Sequence, residues 1–360
     1  MLLCRAYWIK NLLLKSEISI MEIDFVVTWV DGNDPEWQKE KSKYSGKSTG
    51  DDRVKRYRDW DLLRYWFRGI EKCAPWVHAV HFVTCGHLPE WLNTDNPKLH
   101  IVNHKDYIPE KYLPTFSCRP IELNIHKIPG LSDDFVYFND DMFLLQTVTE
   151  KDFFIGGRPC DTAILQASYI HGEDTNGEKL KPENYNTSNL MNLVPINRNF
   201  HKKESVHRNL GKWFSPKYGT AMGRTLLLMP WKEFTGFKNL HLPYSYNKKT
   251  FEEAWEKEEY LLDRACSHKF RDSTDVSSRM MSFWQIAEGN FAPRSPKTGQ
   301  YYSICDNAEK NEKLFEAVKT RKHKMVCIND EYSGNEFEQT RQRLIDSFEI
   351  AFPEKSAFEK

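Results

Sequence analysis

The sequence carries no net charge. Its 360 residues include 51 lysines and arginines against 51 aspartates and glutamates, so the formal net charge at pH 7 is +0. Proteins that bind nucleic acid through a strong overall positive field have a clear excess of basic residues. We therefore expect no nucleic-acid partner that depends on such a field, although a local basic patch is compatible with the composition.

The common cysteine and phosphate-binding motifs are also missing. The eight cysteines form no C-x-x-C pair and show no zinc-like Cys/His spacing, which argues against a metal–thiolate site. Scattered cysteines in a large domain fit a reducing compartment better than a disulfide framework. The chain has no G-x-G-x-x-G and no Walker A sequence, so neither of those phosphate cradles is present.

Long apolar runs are absent as well. The N-terminal extension, residues 1–20, holds Leu12-Leu13-Leu14 between Lys10 and Lys15. That run is too short to span a bilayer, and no clean small-residue cleavage site follows it. We expect a cytoplasmic protein that associates with a membrane at most peripherally, at the inner face, through a weak amphipathic helix.

Acidic residues follow three strand-like runs directly. Asp31-Gly32 follows the run Ile23–Val30, Asn139-Asp140-Asp141 follows Phe135–Phe138, and Asn329-Asp330 follows Lys324–Ile328. Open α/β sheets bind ligands at the carboxyl ends of their strands. Carboxylates there suit Mg²⁺ (or Mn²⁺), which neutralises a phosphate-bearing substrate. The alternatives are a simple hairpin turn at 139–141 and an ordinary strand–turn after the first run.

Strands and helices alternate in the first half of the chain. Runs at 80–84 and 99–102 are separated by helical stretches, which predicts βαβ units and a mostly parallel sheet. A predicted helix over 59–72 places Arg64 and Arg68 on one face. Two guanidiniums so aligned can clamp a diphosphate, or they are simply exposed or ion-paired. The polar residues 38–58 are predicted to form a mobile loop over the site.

Four blocks of sequence, in a fixed order along the chain, form a recognisable pattern. They are Ile23–Gly32, a long block from Leu63-Arg64-Tyr65 through Ile121-Glu122 to Phe138–Asp141, a third from His241-Leu242-Pro243 to Phe270-Arg271, and Cys327-Ile328-Asn329-Asp330. In this order they resemble the Stealth family of hexose-1-phosphate transferases. That family includes bacterial capsular polysaccharide phosphotransferases and the catalytic core of the lysosomal N-acetylglucosamine-1-phosphotransferase.

The resemblance implies a fold and a reaction. The fold class would be α/β, with a GT-A-like, Rossmann-type, mostly parallel sheet flanked by helices and a helical second half. A hexose or N-acetylhexosamine 1-phosphate would pass from a UDP-sugar donor to a glycan hydroxyl, forming a phosphodiester and releasing UMP. We expect an N-terminal extension (1–20), a nucleotide-sugar-binding core (21–160), an insertion or lid (161–200), a mostly helical part with the final core strand (201–335), and a C-terminal helix and tail (336–360).

Matched position by position, the family's essential residues fall on Glu122, Asp141, His241 and Arg271. His241 is the best candidate for the general base, and the alternative is a nucleophilic histidine that forms a phospho-sugar intermediate. Further candidates are grouped by role: Asp140, Asp141 and Asp330 for the metal, and Trp29, Asp31, Gly32, Arg64, Arg68 and Asn139 for the substrate.

Two other readings compete with this one. A conventional metal-dependent glycosyltransferase also uses a strand-end acidic motif, but it breaks the C1–O bond and releases UDP. A non-catalytic sugar-nucleotide-binding protein is the third reading, which the density of candidate catalytic side chains disfavours. The sequence does not indicate the sugar, the acceptor hydroxyl or the oligomeric state.

Overall fold

The computed structural model describes residues 22–46, 57–170, 175–176, 179–180 and 185–360. The predicted N-terminal extension, much of the predicted loop at 38–58 and part of the predicted insertion at 161–200 lie outside the described residues. The strands are β1 Ile23–Thr28, β2 Val80–Thr84, β3 Leu99–Asn103, β4 Asp134–Phe138, β5 Met142–Leu144, β6 Phe154–Ile155, β7 Arg158–Asp161, β8 Thr175–Asn176, β9 Lys179–Leu180, β10 Tyr244–Asn247, β11 Ala292–Pro293, β12 Gly299–Ile304 and β13 Met325–Asp330.

The α-helices of the described residues fall between and after these strands. They are α1 Pro35–Ser42, α2 Leu63–Cys73, α3 His104–Tyr107, α4 Cys118–Leu123, α5 Glu150–Phe153, α6 Tyr185–Asn199, α7 Lys202–Arg208, α8 Leu210–Trp213, α9 Met222–Leu228, α10 Lys248–Ser267, α11 Arg279–Glu288, α12 Ala308–Lys319 and α13 Phe337–Ala351. Among the described helices, none combines the length and apolar character that crossing a bilayer requires.

A five-stranded sheet forms the centre of the molecule, in the order β10-β4-β1-β2-β3. Strands β1 to β4 run parallel to one another, and β10 pairs with β4 in the antiparallel sense. β1 and β2 are mostly apolar and are buried on both faces, as expected of parallel strands covered by helices. The order 3-2-1-4 is that of a Rossmann-type sheet, so the predicted α/β class with a mostly parallel sheet is confirmed.

A second sheet meets the first at the acidic turn. β5 follows β4 after Asn139-Asp140-Asp141, but it pairs antiparallel with β13, which in turn pairs parallel with β12. The backbone N–H of Ile328 donates to the carbonyl of Asp141 at 2.8 Å and fastens the turn to β13. The turn therefore joins two sheets rather than closing a hairpin, and β13, the final core strand, lies in the second sheet.

Several local predictions need correction. Residues 38–42 lie in α1 rather than in a loop. The sequence Pro89-Glu90-Trp91-Leu92 predicts the start of a short helix, but these residues form none, and Leu92 makes an isolated β-bridge to Glu359. The sequence also predicts that Glu122 opens a helix, but Ser117 caps α4 through the backbone N–H of Arg119, so Glu122 lies in the last turn of that helix. β10 interrupts the helical second half, since four residues were too short a run to predict a strand from the sequence.

Arg68 is part of the core and not of a phosphate clamp. It is 6% exposed, and its Nε lies 2.8 Å from Oε1 of Glu359. The same guanidinium donates to Glu349 at 3.0 Å and to the carbonyl of Phe352 at 2.8 Å. These partners lie more than 280 residues further along the chain, so helical periodicity could not reveal them. Arg68 ties α2 to the C-terminal segment.

Replacing Arg68 with methionine should destabilise the fold. The side chain of Glu359 is 2% exposed, and Arg68→Met would leave that carboxylate buried without its cation. Breaking a buried ion pair from one side costs about 3–5 kcal/mol, and we expect a loss of that order in the free energy of unfolding measured in urea.

The control for this variant is Arg341→Met, which removes an exposed ion pair with Glu338. That change should alter the unfolding free energy by no more than about 0.5 kcal/mol. If both variants lost equally little, Arg68 would not connect α2 to the C-terminal segment as described.

Candidate active site

A cavity of about 960 Å³ lies at the carboxyl ends of β1, β4 and β13. Its wall includes most of the candidate residues, brought together from distant parts of the chain: Trp29, Glu122, Asn139, Asp140, Asp141, His241, Arg271 and Asp330. Strand ends supply Trp29, Asn139 and Asp330, while a helix supplies Glu122. This cavity is the candidate active site.

Four predicted substrate-binding residues do not line the cavity, and their packing explains why. The N–H of Asp31 donates to Nε2 of His87 at 2.8 Å. There is no space for a side chain at Gly32, because the carbonyl oxygen of Tyr57 would lie 2.0 Å from an added Cβ. The guanidinium of Arg64 lies over the Trp91 ring, 5.5 Å from its centroid. Arg68 also lies outside this lining, buried in its ion pairs, and the predicted substrate-binding roles of Asp31, Gly32 and Arg64 stay predictions.

Asp141 is held on one side only. Its Oδ2 accepts from the thiol of Cys327 at 3.3 Å and lies 3.8 Å from Nε2 of His241. Its Oδ1 is buried, and within the described part of the chain no donor reaches it. Burial, countered by the Cys327 hydrogen bond and by Arg271, raises the pKa of Asp141 to about 6.

Asp140 completes a crowded acidic cluster. Desolvation by the cavity walls raises the pKa of Asp140 to about 7, and the nearby carboxylates of Asp141 and Asp59 add to the shift. Burial likewise raises the pKa of Asp59, whose Oδ2 accepts from Nε1 of Trp29 at 3.3 Å. Carboxylates crowded in this way favour either a bound proton or a cation.

The residues present fit a hard divalent cation. Asp140 and Asp141 offer carboxylate oxygens, and the unpartnered Oδ1 of Asp141 is available as a ligand. Cys327 lies within 4.8 Å of Asp141 and His241, but burial and the Asp141 carboxylate raise the pKa of its thiol, so it stays a hydrogen-bond donor. A softer thiolate site is therefore disfavoured.

Asp330 reaches the cavity already paired. Nε of Arg58 lies 2.7 Å from its Oδ2, and the second arm of the guanidinium contacts Oδ1. Asp330 could contribute to the metal only after this bidentate ion pair opens, so its predicted role as a ligand remains a prediction.

His241 has an unusual backbone and a neutral ring. Its φ of 50° lies in the left-handed region, which is uncommon for a residue other than glycine and often occurs at functional sites. Its Nδ1 lies 3.1 Å from the Tyr244 hydroxyl and 3.4 Å from Nη2 of Arg279. Burial, with Arg279 and Arg271 nearby, lowers the pKa of His241 to about 3, so the imidazole is neutral at physiological pH.

Glu122 and Arg271 complete the predicted catalytic set. Oε2 of Glu122 accepts from the Ser278 hydroxyl at 2.8 Å, and Ser278 directly precedes α11. Arg271 lies close enough to lower the pKa values of Asp140, Asp141 and His241. The structure thus brings Glu122 and Arg271 to the same cavity as the acidic turn.

Other residues that line the cavity or contact Asp141 were missed by the sequence analysis. Arg58 and Asp59 follow a polar stretch that offered no periodic signal, and Cys327 was part of a strand pattern. Arg279 could have been found, because it stands at the start of the apolar run Met280–Ala287, all of which is buried. A lone arginine at the start of a buried helix indicates a specific partner.

Comparison with known proteins gives a consistent result. Conserved regions 1, 2 and 4 of the Stealth proteins match residues 21–49, 56–159 and 316–360. The capsular polysaccharide phosphotransferase WcwK of Streptococcus pneumoniae is 40% identical over 344 residues, 95% of this chain and 100% of its own. The exopolysaccharide phosphotransferase cps2G of Lactiplantibacillus plantarum is 38% identical over 94% of this chain and 96% of its own.

A third relative and a solved structure add detail. The receptor polysaccharide phosphotransferase WefC of Streptococcus oralis is 39% identical over 94% of this chain and 99% of its own. The crystal structure of the galactosyltransferase LgtC, with donor and acceptor sugar analogues, aligns over 90% of this chain and 95% of its own. Its sequence identity is 10% and its TM-score 0.33, a likeness too slight to support an argument.

Neutralising Asp140 should stabilise the metal-free protein at alkaline pH. Because the pKa of Asp140 in the folded state, about 7, exceeds its usual value of 3.8, its ionisation favours unfolding as the pH rises through that range. We expect Asp140→Asn to melt at a higher temperature than the wild type at about pH 8, with the difference vanishing at about pH 4.

Asp346→Asn is the matched control, since Asp346 is an exposed carboxylate on α13. Its melting temperature should follow the wild type at both pH values. A lower melting temperature for Asp140→Asn at alkaline pH would mean that Asp140 is stabilised by partners in its charged form.

Proposed function

The chain belongs to the Stealth family, as its 38–40% identity to polysaccharide phosphotransferases over nearly its whole length shows, and on this premise we propose its reaction. It transfers a hexose or N-acetylhexosamine 1-phosphate from a UDP-sugar to a hydroxyl group of a glycan. The products are a phosphodiester and UMP. The enzyme is a transferase of capsular or exopolysaccharide synthesis.

The observation that carries the proposal is the convergence of opposite charges in one cavity. Asp140, Asp141, His241 and Arg271 all line a space of about 960 Å³, which is within the usual range for a site that encloses a small organic ligand. Carboxylates that can hold a cation, beside an arginine, suit a diphosphate better than a neutral sugar.

The reaction would proceed by attack at the β-phosphorus. The acceptor oxygen forms a bond to that phosphorus, the bond from phosphorus to the bridging oxygen breaks, and UMP leaves, while the sugar C1–O bond stays intact. The hydroxyl proton passes to a base in the cavity. Such a transfer needs positioning and charge neutralisation more than covalent catalysis, and Arg271 supplies a fixed positive charge.

Asp140 and Asp141 would hold Mg²⁺ or Mn²⁺. When bound, the cation would neutralise the diphosphate and make UMP a better leaving group. Without it, the two carboxylates would repel the same diphosphate.

Trp29 would form the wall of the cavity beside the uridine end of the donor. It follows β1 and is half-buried, and its ring stacks on Phe82 at 5.8 Å between centroids. Its indole N–H is directed to Asp59 at 3.3 Å, which fixes the ring in the cavity wall. A ring fixed in this way offers a flat apolar surface to a nucleotide at low entropic cost.

Product analysis tests the reaction directly. Purified protein with Mg²⁺, a panel of UDP-hexoses and UDP-N-acetylhexosamines, and an oligosaccharide acceptor should release UMP and give a phosphodiester signal in the ³¹P NMR spectrum. Release of UDP instead would identify an ordinary glycosyltransferase and overturn the proposed chemistry.

Asp141→Asn should lower kcat by about 10²-fold or more, because it weakens cation binding beside the transferred phosphoryl group. Adding EDTA to the wild type should cause a comparable loss that excess Mg²⁺ or Mn²⁺ restores. Asp346→Asn serves as the control and should keep full activity. If Asp141→Asn folded normally and kept wild-type kcat, Asp141 would be excluded as a metal ligand.

A further inference from the structure

Arg279 lies behind the histidine of the site and has no role in the reaction described so far. We propose that Arg279 is a positioning residue that holds His241 in its Nε2–H tautomer, with the proton facing Asp141. His241 would then act as a hydrogen-bond donor, rather than as a metal ligand, a general base or a nucleophile. The tautomer follows from the contacts in the structure, whereas its catalytic consequence rests on the proposed function.

Three hydrogen bonds fix the guanidinium of Arg279. Its Nη1 donates to Oδ1 of Asn189, on α6, at 2.8 Å. Its Nη2 lies 3.3 Å from the hydroxyl oxygen of Tyr244 and 3.4 Å from Nδ1 of His241. Arg279 is the first residue of α11, and the residue before it is held by Glu122 at 2.8 Å. Both ends of the arginine are therefore anchored.

The chemistry of arginine determines which ring nitrogen carries the proton. A guanidinium has only N–H donors and no acceptor, so Nδ1 of His241 must offer it a lone pair. The Tyr244 hydroxyl lies 3.1 Å from Nδ1 but donates its single proton to Oδ1 of Asn239, 3.3 Å away, so the guanidinium is the group that requires a lone pair on Nδ1. A neutral imidazole has a single N–H, which is thereby placed on Nε2, 3.8 Å from Oδ2 of Asp141.

This arrangement is the reverse of that found at metal-bound histidines. A ligating histidine turns a lone pair toward the metal and donates its other N–H to a carboxylate, a carbonyl or water. Here the distal nitrogen faces an arginine donor, and the nitrogen nearer the carboxylates keeps its proton. His241 is therefore not a ligand, although it lies within 4.8 Å of Asp141 and Cys327, and a cation here depends on carboxylates.

The role of His241 in the reaction changes with its tautomer. With Nε2 protonated, His241 can donate a hydrogen bond to a non-bridging oxygen of the phosphoryl group and keeps its proton throughout. The acceptor hydroxyl then loses its proton to a carboxylate of the cavity. The general-base role expected from the sequence thus moves from His241 to an acidic residue.

Nitrogen NMR of the substrate-free protein tests the tautomer directly. With ¹⁵N-labelled histidine at about pH 7.5, where the ring is neutral, the His241 signals are assigned by their loss in His241→Gln. We expect the wild type to show protonated Nε2 and unprotonated Nδ1. Arg279→Met should produce a mixture of tautomers, because Tyr244 can then accept a proton from Nδ1. Protonated Nδ1 in the wild type, or an unchanged spectrum in Arg279→Met, would overturn the inference.

Two further variants control for misfolding of Arg279→Met and for changes in the His241 spectrum that are not specific to Arg279. Asn189→Ala removes the acceptor of Nη1 and leaves the arginine in place, so it should shift the tautomer in the same direction by a smaller amount, even if Arg279→Met fails to fold. Arg341→Met removes a surface arginine on α13 and should leave the His241 spectrum unchanged. A tautomer shift in Arg341→Met would show that the readout is not specific to Arg279.

Kinetic measurements then distinguish hydrogen-bond donation by His241 from general-base or nucleophilic catalysis by the same residue. The amide of glutamine can place an N–H near the position of Nε2, so His241→Gln should keep a kcat at least about tenfold above that of His241→Ala. Equal kcat values for the two variants would rule out the donor role. Failure to find UMP with any donor would refute the proposed function instead, and the NMR result would still decide the tautomer.

Discussion

Negative charge at the junction of two sheets is the constraint on which the site depends. The turn at 139–141 ends one sheet and is fastened to the other by the hydrogen bond from Ile328 to Asp141. The backbone geometry therefore fixes Asp140 and Asp141 beside each other in a desolvated wall. Burial and mutual repulsion raise the pKa of Asp140 to about 7, so the turn concentrates negative charge in one wall of the cavity.

Arginine side chains interact with the negative charges of the protein in different ways. Arg58 pairs with Asp330, Arg271 lowers the pKa values of the acidic pair, and Arg279 contacts His241. Arg68 has no part in the site and instead connects α2 to the C-terminal segment. The planar guanidinium suits each task because it makes several directed hydrogen bonds at once.

The second sheet and α11 give the site its rigidity. β13 supplies Cys327, whose thiol donates to Asp141, and α11 begins where Glu122 holds Ser278. Side chains that are themselves hydrogen-bonded lose little entropy when a ligand binds, which favours a preorganised site. Glu122 is hydrogen-bonded to Ser278 at the start of α11, and Arg279 contacts His241 on the side away from Asp141.

The sequence by itself determined the parallel strands of the main sheet, the class of fold and eight of the residues that line the cavity. Val80–Thr84 was predicted with its observed bounds, because buried β-strands leave a local pattern of apolar residues. Asp141, His241 and Arg271 were found through blocks of sequence that carry the family resemblance. Only the tertiary structure decided which charged side chains are ion-paired within the protein. Arg68 and its partner Glu359, for example, are 291 residues apart in the sequence. The tertiary structure also revealed Arg279 and the separate sheet of β13, because partners and sheet neighbours are chosen by packing between distant segments, which no local pattern encodes.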